Sequence, residues 1–322
     1  MRIFDLGELP PSLRPQLAAL AVTDGDPPQD FALLRHLQEW GHPGSDYWGV
    51  YAVEDGQILS RVETLHLPFR GRVGRQTVVG ISDVLTVPTG VRRGLARALL
   101  RRIHRREAAA GRRWSFLWTH RTWGAHSLYV DLGYEDVYSP PNALRPIPRS
   151  ARNEPPAGYR LRMARGDEAD RLQRLLDRAT RLRLGFVPRG PNSTRIRLRL
   201  GWRHRENYRI LLRGKRAVGY AYLSASSSWN VSVNEAIVTA PQHSAALLEG
   251  LEGLARGRWL TFQGTSFVDD AAERLRERGY RRLPASHAVL MAKPLGPRAD
   301  RGEDLRTVFQ DPRFSSHRGD MF

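Results

Sequence analysis

Residues 81–100 read Ile-Ser-Asp-Val-Leu-Thr-Val-Pro-Thr-Gly-Val-Arg-Arg-Gly-Leu-Ala-Arg-Ala-Leu-Leu, and this stretch decides the predicted fold. A run rich in β-branched residues ends at Pro88, and the apolar spacing then becomes helical from Val91 to Ala110. Gly111 follows in the position where glycine often ends a helix. The stretch therefore predicts a strand, a turn with two arginines and two glycines, and a helix.

The predicted turn has the chemistry of an anion site. The first N–H groups of a helix lack partners and lie at the positive end of its dipole, which suits a phosphate. Gly94 removes the Cβ that would obstruct a phosphate, and Ala96 keeps the first helical turn shallow. Arg92 and Arg93 add positive charge. The same letters also fit an ordinary strand–turn–helix with surface arginines.

Residues 84–96 resemble motif A of the GNAT acetyltransferases, in which Val-x-Pro ends a strand and Arg/Gln-x-x-Gly-x-Gly/Ala opens a helix. Val91 stands where the family usually has Arg or Gln, and Arg92 and Arg93 are expected to compensate. The resemblance implies acetyl-CoA as cosubstrate. It implies a bulge that splays the strand, so that the backbone of Leu85 and Val87 meets the pantetheine. The implied contact residues are Val84, Leu85, Val87, Val91, Arg92, Arg93, Gly94, Leu95 and Ala96.

Residues 126–134, His-Ser-Leu-Tyr-Val-Asp-Leu-Gly-Tyr, resemble the family's Leu-Tyr-x-x-x-Gly-Phe/Tyr segment. The resemblance implies that Tyr129 protonates the departing CoA thiolate. A phenol with a pKa of about 10 is chemically suited to this step. The alternative is a core tyrosine on an amphipathic helix.

The general base has several candidates in the sequence. Asp83 is placed on the same strand face as Leu85 and Val87, near where the family often has a carboxylate. His120 and His126 are alternatives for the base. Two tryptophans, Trp118 and Trp123, are candidates for the wall of an acceptor pocket.

Three groups of letters recur in the same order and indicate an internal repeat. They are residues 84–88 and 237–241, 111–114 and 256–259, and 132–134 and 278–280. The repeat predicts an α/β (α+β) chain of two tandem GNAT-like domains, each a mixed, mostly antiparallel sheet flanked by helices. This arrangement is similar to the first two domains of the enhanced-intracellular-survival acetyltransferases. The predicted boundaries are 1–145, with the acetyl-CoA site, 157–296, and a disordered tail at 297–322.

The second half retains the sequence motifs of the fold but lacks the residues that the cofactor site and the acid would need. Gln242 and His243 follow Pro241, with neither glycine nor arginine, and Leu275 stands at the counterpart of Tyr129. We therefore interpret this half as a degenerate domain, to which Glu235 could add a carboxylate. The proline-rich residues 140–156 predict the linker. Two further predicted helices are 31–40 and 167–184.

The composition limits the classes of function. The chain has 51 Lys+Arg, 33 Asp+Glu and a formal net charge of +18, but the arginines are dispersed, which disfavours nucleic-acid binding as the primary function. Absence of cysteine excludes disulfides, a thiolate metal site and a cysteine relay, and fits a cytoplasmic protein. No His/Asp/Glu cluster has ligand spacing, so no metal is expected. No signal peptide or membrane span is expected.

The sequence thus predicts an N-acetyltransferase that transfers acetyl from acetyl-CoA to a primary amine of a small molecule by direct attack. Two alternatives remain open. One is a non-catalytic acyl-CoA-binding or sensory protein, and the other is a basic nucleic-acid-binding protein. The identity of the amine is not predicted, and a homo-oligomer is left open.

Overall fold

The computed structural model describes residues 1–23, 48–140, 142–152, 154–186, 194, 198, 207–223, 227–263, 271–283, 288–296, 305–311 and 313–315. The helix predicted at 31–40 lies outside these ranges. The strands are β1 (Arg2–Asp5), β2 (Trp48–Glu54), β3 (Gln57–Arg70), β4 (Arg75–Thr86), β5 (Trp114–His120), β6 (Glu135–Tyr138), β7 (Asn142–Pro146), β8 (Tyr159–Met163), β9 (Leu184–Gly185), β10 (Tyr208–Arg213), β11 (Arg216–Leu223), β12 (Asn230–Val238), β13 (Trp259–Gln263), β14 (Arg281–Leu283), β15 (Ala288–Pro294) and β16 (Phe314–Ser315). The helices are α1 (Arg14–Thr23), α2 (Leu95–Ala109), α3 (Gly124–Asp131), α4 (Ala169–Thr180), α5 (Ser244–Leu254), α6 (Ala271–Glu277) and α7 (Leu305–Gln310).

The elements form two mixed, mostly antiparallel sheets, which confirms the predicted fold class. The first runs β1-β2-β3-β4-β5-β15-β6, with β9 joined to β3 and β16 to β9. The second runs β14-β7-β13-β12-β11-β10-β8. Each has one parallel pair at its centre, β4 with β5 and β12 with β13. Pro88 and Pro241 each begin a 3₁₀ turn after the parallel strand, and a helix follows, as the repeat predicts.

The two sheets exchange a strand. β7, from the first half of the chain, pairs with β13 and β14 in the second sheet. β15, from the second half, pairs with both β5 and β6 in the first sheet. The domain boundaries at 145 and 157 remain a prediction. They do not separate the two sheets, because β7 begins before residue 145 and β15 lies after residue 157.

Helices cover both faces of the first sheet. α2 packs one face with Leu99 and Ile103 against strand residues such as Val62. α1 covers part of the opposite face through Leu17, beside Tyr51 of β2. The rest of that face is covered by α7 and β16. Their side chains Leu305, Val308, Phe309 and Phe314 pack against Phe69 of β3 and Phe116 of β5.

Several predicted elements differ from the observed ones. α2 begins at Leu95 instead of Val91, because Arg92 and Gly94 have φ of +64° and +73°, which a right-handed helix does not admit. The predicted linker contains β7. The helix predicted at 167–184 ends at Thr180, and Leu184 starts β9. The tail predicted as disordered contains α7 and β16, because its apolar side chains complete the core of the first sheet.

Candidate functional site

The turn between β4 and α2 leaves a set of N–H groups free. The first hydrogen bond of the helix joins the Ala98 N–H to the Gly94 carbonyl at 3.0 Å. The N–H groups of Leu95, Ala96 and Arg97 precede it and lie at the positive end of the helix dipole. Among the described residues no side chain caps this end. The turn therefore offers a set of converging donors to an anion.

Two glycines shape this turn for different reasons. Gly94 has φ +73°, and a Cβ built there would meet no atom within 4 Å, so the space before the helix is open to a ligand. Gly90 is buried, and its Cβ would lie 3.1 Å from the Leu59 carbonyl oxygen. Gly90 therefore allows the turn to lie against β3. The sequence motif identifies Gly94, whereas the role of Gly90 depends on a contact 31 residues away and is not visible in the motif.

The arginines of the turn have different partners. Arg93 forms an ion pair with Glu54, Nη2 to Oε2 at 2.7 Å, and this hydrogen bond lowers the pKa of Glu54. Arg92 is exposed and forms no ion pair with any of the described residues. Val91 is 53% exposed. Of the two arginines expected to compensate for Val91, Arg92 is thus the one whose charge is available.

Near this turn β4 separates from β5 and no longer pairs with it. The two strands pair only at residues 79–81 and 115–117. On the other side of β4, Arg61 of β3 lies opposite Leu85 while Glu63 lies opposite Ser82, so residues 83–84 face the single residue between them. This two-for-one opposition is a β-bulge, and Asp83 within it has φ +42°. The structure thus has the bulge and the splay that the motif implies.

The direction of the backbone corrects one expectation. The Val87 N–H donates to the Leu59 carbonyl at 2.9 Å, and the Leu85 carbonyl accepts from Ser60 Oγ at 2.9 Å. Both groups point towards β3, so neither faces the gap. Because alternate residues direct their backbone groups to opposite neighbours, Thr86 presents its N–H and C=O to the side that β5 has left. Thr86 was not among the predicted contacts, because the motif letters do not show strand pairing.

Tyr129 lies on α3 in the cluster that joins α2 to the sheet. It is 6% exposed, and its ring packs edge-on against Tyr134 with centroids 6.0 Å apart. Burial raises the pKa of Tyr129 to about 12. The phenol therefore keeps its proton at neutral pH, as a general acid requires.

Asp83 belongs to a buried charged cluster on the face of β4 that carries Leu85 and Val87. Its Oδ2 lies 3.7 Å from Nη2 of Arg61, and Nη1 of Arg61 lies 3.7 Å from Oε1 of Glu63. Arg61 and Glu63 were missed in the sequence, since alternation along β3 gives no sign that two charged residues are buried there.

The other candidates for the base and pocket lie in the second half of β5 and in the residues that follow it. His126 and Arg121 both bind Asp136, with His126 Nε2 2.9 Å from Oδ1 and Arg121 Nε 2.7 Å from Oδ2. His120 stacks on Trp123 with centroids 4.6 Å apart. Trp118 packs edge-on against Tyr138. Asp83 is thus the candidate nearest to the splayed strand, while His126 is held by a carboxylate.

In the second half, the turn that follows β12 differs from the one before α2. This 3₁₀ turn carries His243, whose Nδ1 lies 3.0 Å from Tyr159 Oη. Leu275 is buried in the core, and the Tyr220 hydroxyl donates to the buried Glu235. A cavity of about 350 Å³ in this half lies between residues 145–152, which include the end of β7, and α5. It is lined by Arg145, Ile147, Pro148, Ala151, Arg152, Glu249, Glu252 and Arg278.

Within the ranges that the structure covers, no helix is long and apolar enough to cross a membrane. The same residues hold no group of three His, Cys, Asp or Glu able to bind a metal ion.

Comparison with known proteins gives structural matches only. No protein-family model matches the chain, and no curated protein matches it. A GCN5-related N-acetyltransferase from Kribbella flavida is similar with a TM-score of 0.62 and 16% identity, over 92% of this chain and 73% of that one. Eis1 from Mycobacterium abscessus has a TM-score of 0.54 and 16% identity, over 77% and 64%. A tandem GNAT protein from the clavulanic acid biosynthesis pathway has a TM-score of 0.55 and 14% identity, over 92% and 99%.

Proposed function

Because the chain has the fold of the GCN5-related N-acetyltransferases, we propose that it transfers an acetyl group from acetyl-CoA to a primary amine of a small molecule. The observation that carries this proposal is the open turn before α2, where uncapped N–H groups and Gly94 meet beside the splayed β4. A pyrophosphate fits such a turn, because it needs several donors and close approach to the backbone. We also propose a cytoplasmic location, in keeping with a chain without cysteine.

In the proposed reaction, Leu95, Ala96 and Arg97 donate their N–H groups to the pyrophosphate, and Arg92 adds charge. Thr86 offers backbone groups to the pantetheine arm. The amine nitrogen attacks the thioester carbon, the new N–C bond forms and the C–S bond breaks. Asp83 takes the proton that the amine loses, and Tyr129 gives a proton to the thiolate. Both groups then exchange protons with solvent, so the enzyme returns to its starting state.

Calorimetric titration with acetyl-CoA tests the proposed site, with Gly94→Glu as the disruptive variant. A glutamate there strains the backbone and puts a negative charge among the phosphate donors, so affinity should fall at least about tenfold. Gly111→Glu is the matched control, because Gly111 ends the same helix with φ +77° and equally open space. Equal affinity of wild type and Gly94→Glu would refute the site.

Turnover separates the enzyme from a non-catalytic acyl-CoA-binding protein. The ion pair of Asp83 with Arg61 favours that second function, since it engages the candidate base. Release of free CoA thiol from acetyl-CoA in the presence of an amine, with a matching acetylated product, supports the transferase. Tight acetyl-CoA binding without product from any amine supports the binding protein.

A further inference from the structure

The cavity in the second half of the chain has the size of a small-molecule site. Its volume is about 350 Å³, within the range of ligand pockets, and it lies between residues 145–152 and α5. Those residues include the end of β7, the strand that the second sheet receives from the first half of the chain. None of the described residues that line the cavity is a proposed acetyl-CoA contact. The cavity is therefore separate from the site of the proposed function.

Three of the residues that line the cavity are apolar. Ile147 is 3% exposed and belongs to the core of the second sheet, and Pro148 follows it along the chain. Ala151 packs against the same core. The Ile147 N–H donates to the Arg258 carbonyl and the Ile147 carbonyl accepts from the Gly257 N–H, both at 2.9 Å. Because the backbone of Ile147 is already paired, this part of the lining offers a ligand hydrocarbon contact.

The two carboxylates of the lining are already bound within the protein. Glu252 accepts from Arg278 twice, with Oε2 2.6 Å from Nη2 and Oε1 3.1 Å from Nε. Its Oε1 also accepts from Arg145 Nη1 at 3.3 Å and from the Tyr280 hydroxyl at 3.1 Å. Glu249 accepts from Nη1 of Arg278 at 3.3 Å. A cationic ligand would therefore have to compete with arginines for these acids.

The arginines of the lining keep accessible donors. The side chain of Arg145 is 32% exposed and donates through Nη1, while its Nε and Nη2 are not among the buried atoms that lack a partner, so they remain open to solvent. Arg152 is exposed and forms no ion pair or hydrogen bond with any described residue. The lining contains three arginines and two glutamates, so its formal net charge is +1. One negative charge on a ligand would therefore neutralise the cavity.

We propose that this cavity binds a small carboxylic acid, as its anion, that carries an apolar body of several carbon atoms. The carboxylate accepts hydrogen bonds from Arg145 and Arg152. The apolar body lies on Ile147, Pro148 and Ala151. A guanidinium suits a carboxylate because two parallel N–H···O bonds form between their planar groups.

Other ligand classes match the cavity less well. A neutral alcohol leaves the positive charge of the lining uncompensated, and an amine adds to that charge. A zwitterion leaves the net charge unchanged. A phosphate monoester carries about 1.5 to 2 negative charges at neutral pH, which exceeds the charge of the lining beside two glutamates. A carboxylate with a hydrocarbon body matches both the single charge and the apolar residues.

Binding in this cavity should stabilise the exchanged arrangement of the strands. Arg145 lies on β7, which the first half provides, whereas Glu249 and Glu252 lie on α5 of the second half. A bound ligand therefore contacts both halves of the chain. Because a ligand that binds only the folded state shifts the equilibrium towards it, the carboxylate should raise the urea midpoint of the whole chain as its concentration exceeds its Kd.

The test titrates the full chain calorimetrically with acetate, butyrate, hexanoate and octanoate, and with the alcohol and the amine of each length. We expect affinity to rise about two- to fourfold for each added methylene group, because the hydrocarbon leaves water. Hexanoate should bind at least about tenfold more tightly than hexanol and hexylamine. Equal affinity of hexanoate and hexanol, no dependence on chain length, or no binding of any carboxylate overturns the proposal. So does tighter binding of hexyl phosphate than of hexanoate.

A charge variant locates the binding site. Arg152→Gln removes one positive charge without breaking an ion pair among the described residues, so its affinity for hexanoate should fall at least about tenfold. Arg149→Gln is the matched control, because Arg149 is exposed on the same segment and is not among the described residues that line the cavity. Equal losses in the two variants would mean that hexanoate responds only to the general charge of the surface, and they overturn the proposal. The urea midpoint without ligand shows that both variants fold, and if either does not, the comparison of ligands on the wild type decides.

Competition separates the cavity from the proposed acetyl-CoA site, where hexanoate could mimic an acyl group. We expect hexanoate to bind with the same affinity with and without saturating acetyl-CoA, and with the same affinity to Gly94→Glu. Displacement of hexanoate by acetyl-CoA would place it at the acyl-transfer site and refute the proposal for the cavity. Failure of acetyl-CoA to bind refutes the proposed function and leaves the hexanoate result standing, so the two failures are distinguishable.

Discussion

At the residue scale, burial sets the protonation state of Tyr129. Its raised pKa of about 12 means that the phenol stays protonated across the pH range in which the protein can be assayed. We predict that Tyr129→Phe lowers kcat by about a hundredfold or more, as expected for loss of a general acid, while the affinity for acetyl-CoA is retained. Steady-state kinetics and calorimetry measure the two quantities. The wild-type rate should show no alkaline decline from this residue below about pH 11.

The neighbouring Tyr134 provides the control for that variant. Its hydroxyl lies 2.8 Å from His104 Nε2 and 2.7 Å from Ser115 Oγ, inside the core. Tyr134→Phe removes buried hydrogen bonds and should reduce stability with little change in kcat. Equal losses of kcat in the two variants would contradict the acid role of Tyr129.

The buried His104 makes the free energy of unfolding decrease at acid pH. Burial lowers its pKa to about 3, while in the unfolded chain it titrates near 6.5. The folded state excludes the proton, so stability is complete above about pH 6.5 and declines as the pH falls towards 3. We predict that the titration of this residue alone lowers the free energy of unfolding by about 2 kcal/mol between pH 7 and pH 5. Urea unfolding of wild type and His104→Gln at both pH values measures it; parallel losses in the two proteins would contradict the assignment.

At the element scale, the turn before α2 depends on close contact with β3. A Cβ at Gly90 would lie 3.1 Å from the Leu59 carbonyl, the Leu95 side chain and the Thr86 side chain. We predict that Gly90→Ala costs about 1–3 kcal/mol of stability by overpacking and weakens acetyl-CoA binding by shifting the donors. Chemical unfolding and titration measure both. Gly7→Ala is the control, since a Cβ there meets nothing within 4 Å; equal costs at the two positions would refute the contact argument.

Local patterns predicted the strand and the helix around the turn, and the errors have physical causes. They located the end of β4 and the extent of α2 to within a few residues, because the buried face of each element recurs along the sequence. They placed the start of α2 at Val91, because helical spacing does not reveal that Arg92 takes a left-handed conformation. They also treated β7 as linker, because proline usually interrupts pairing. The buried Arg61 escaped prediction, since its environment comes from three different strands.

At the scale of the whole molecule, the exchange of β7 and β15 makes each half depend on the other. β15 lies between β5 and β6, so the first half alone cannot join those two strands. β7 lies between β13 and β14, so the second half alone has the same defect. The apolar residues Val289, Leu290 and Met291 of β15 are fully buried in the first sheet. The internal repeat does not predict this exchange, because each half contains a full set of the repeated motifs and so resembles a complete domain.

Separating the chain at the exposed residues 149–150 tests this dependence. We predict that neither residues 1–149 nor 150–322 unfold cooperatively when expressed alone, because each lacks a strand that is paired on both sides and so exposes the edges of its neighbours. Co-expressed, a tagged first half should retain the second half through purification, and the pair should bind acetyl-CoA. Introducing Leu290→Pro into the second half should abolish retention, since proline removes a ladder hydrogen bond within a strand that is paired on both sides. A first half that unfolds cooperatively and binds acetyl-CoA by itself would show that β15 is dispensable, and the acetyl-CoA site would then be a property of one half instead of the exchanged pair.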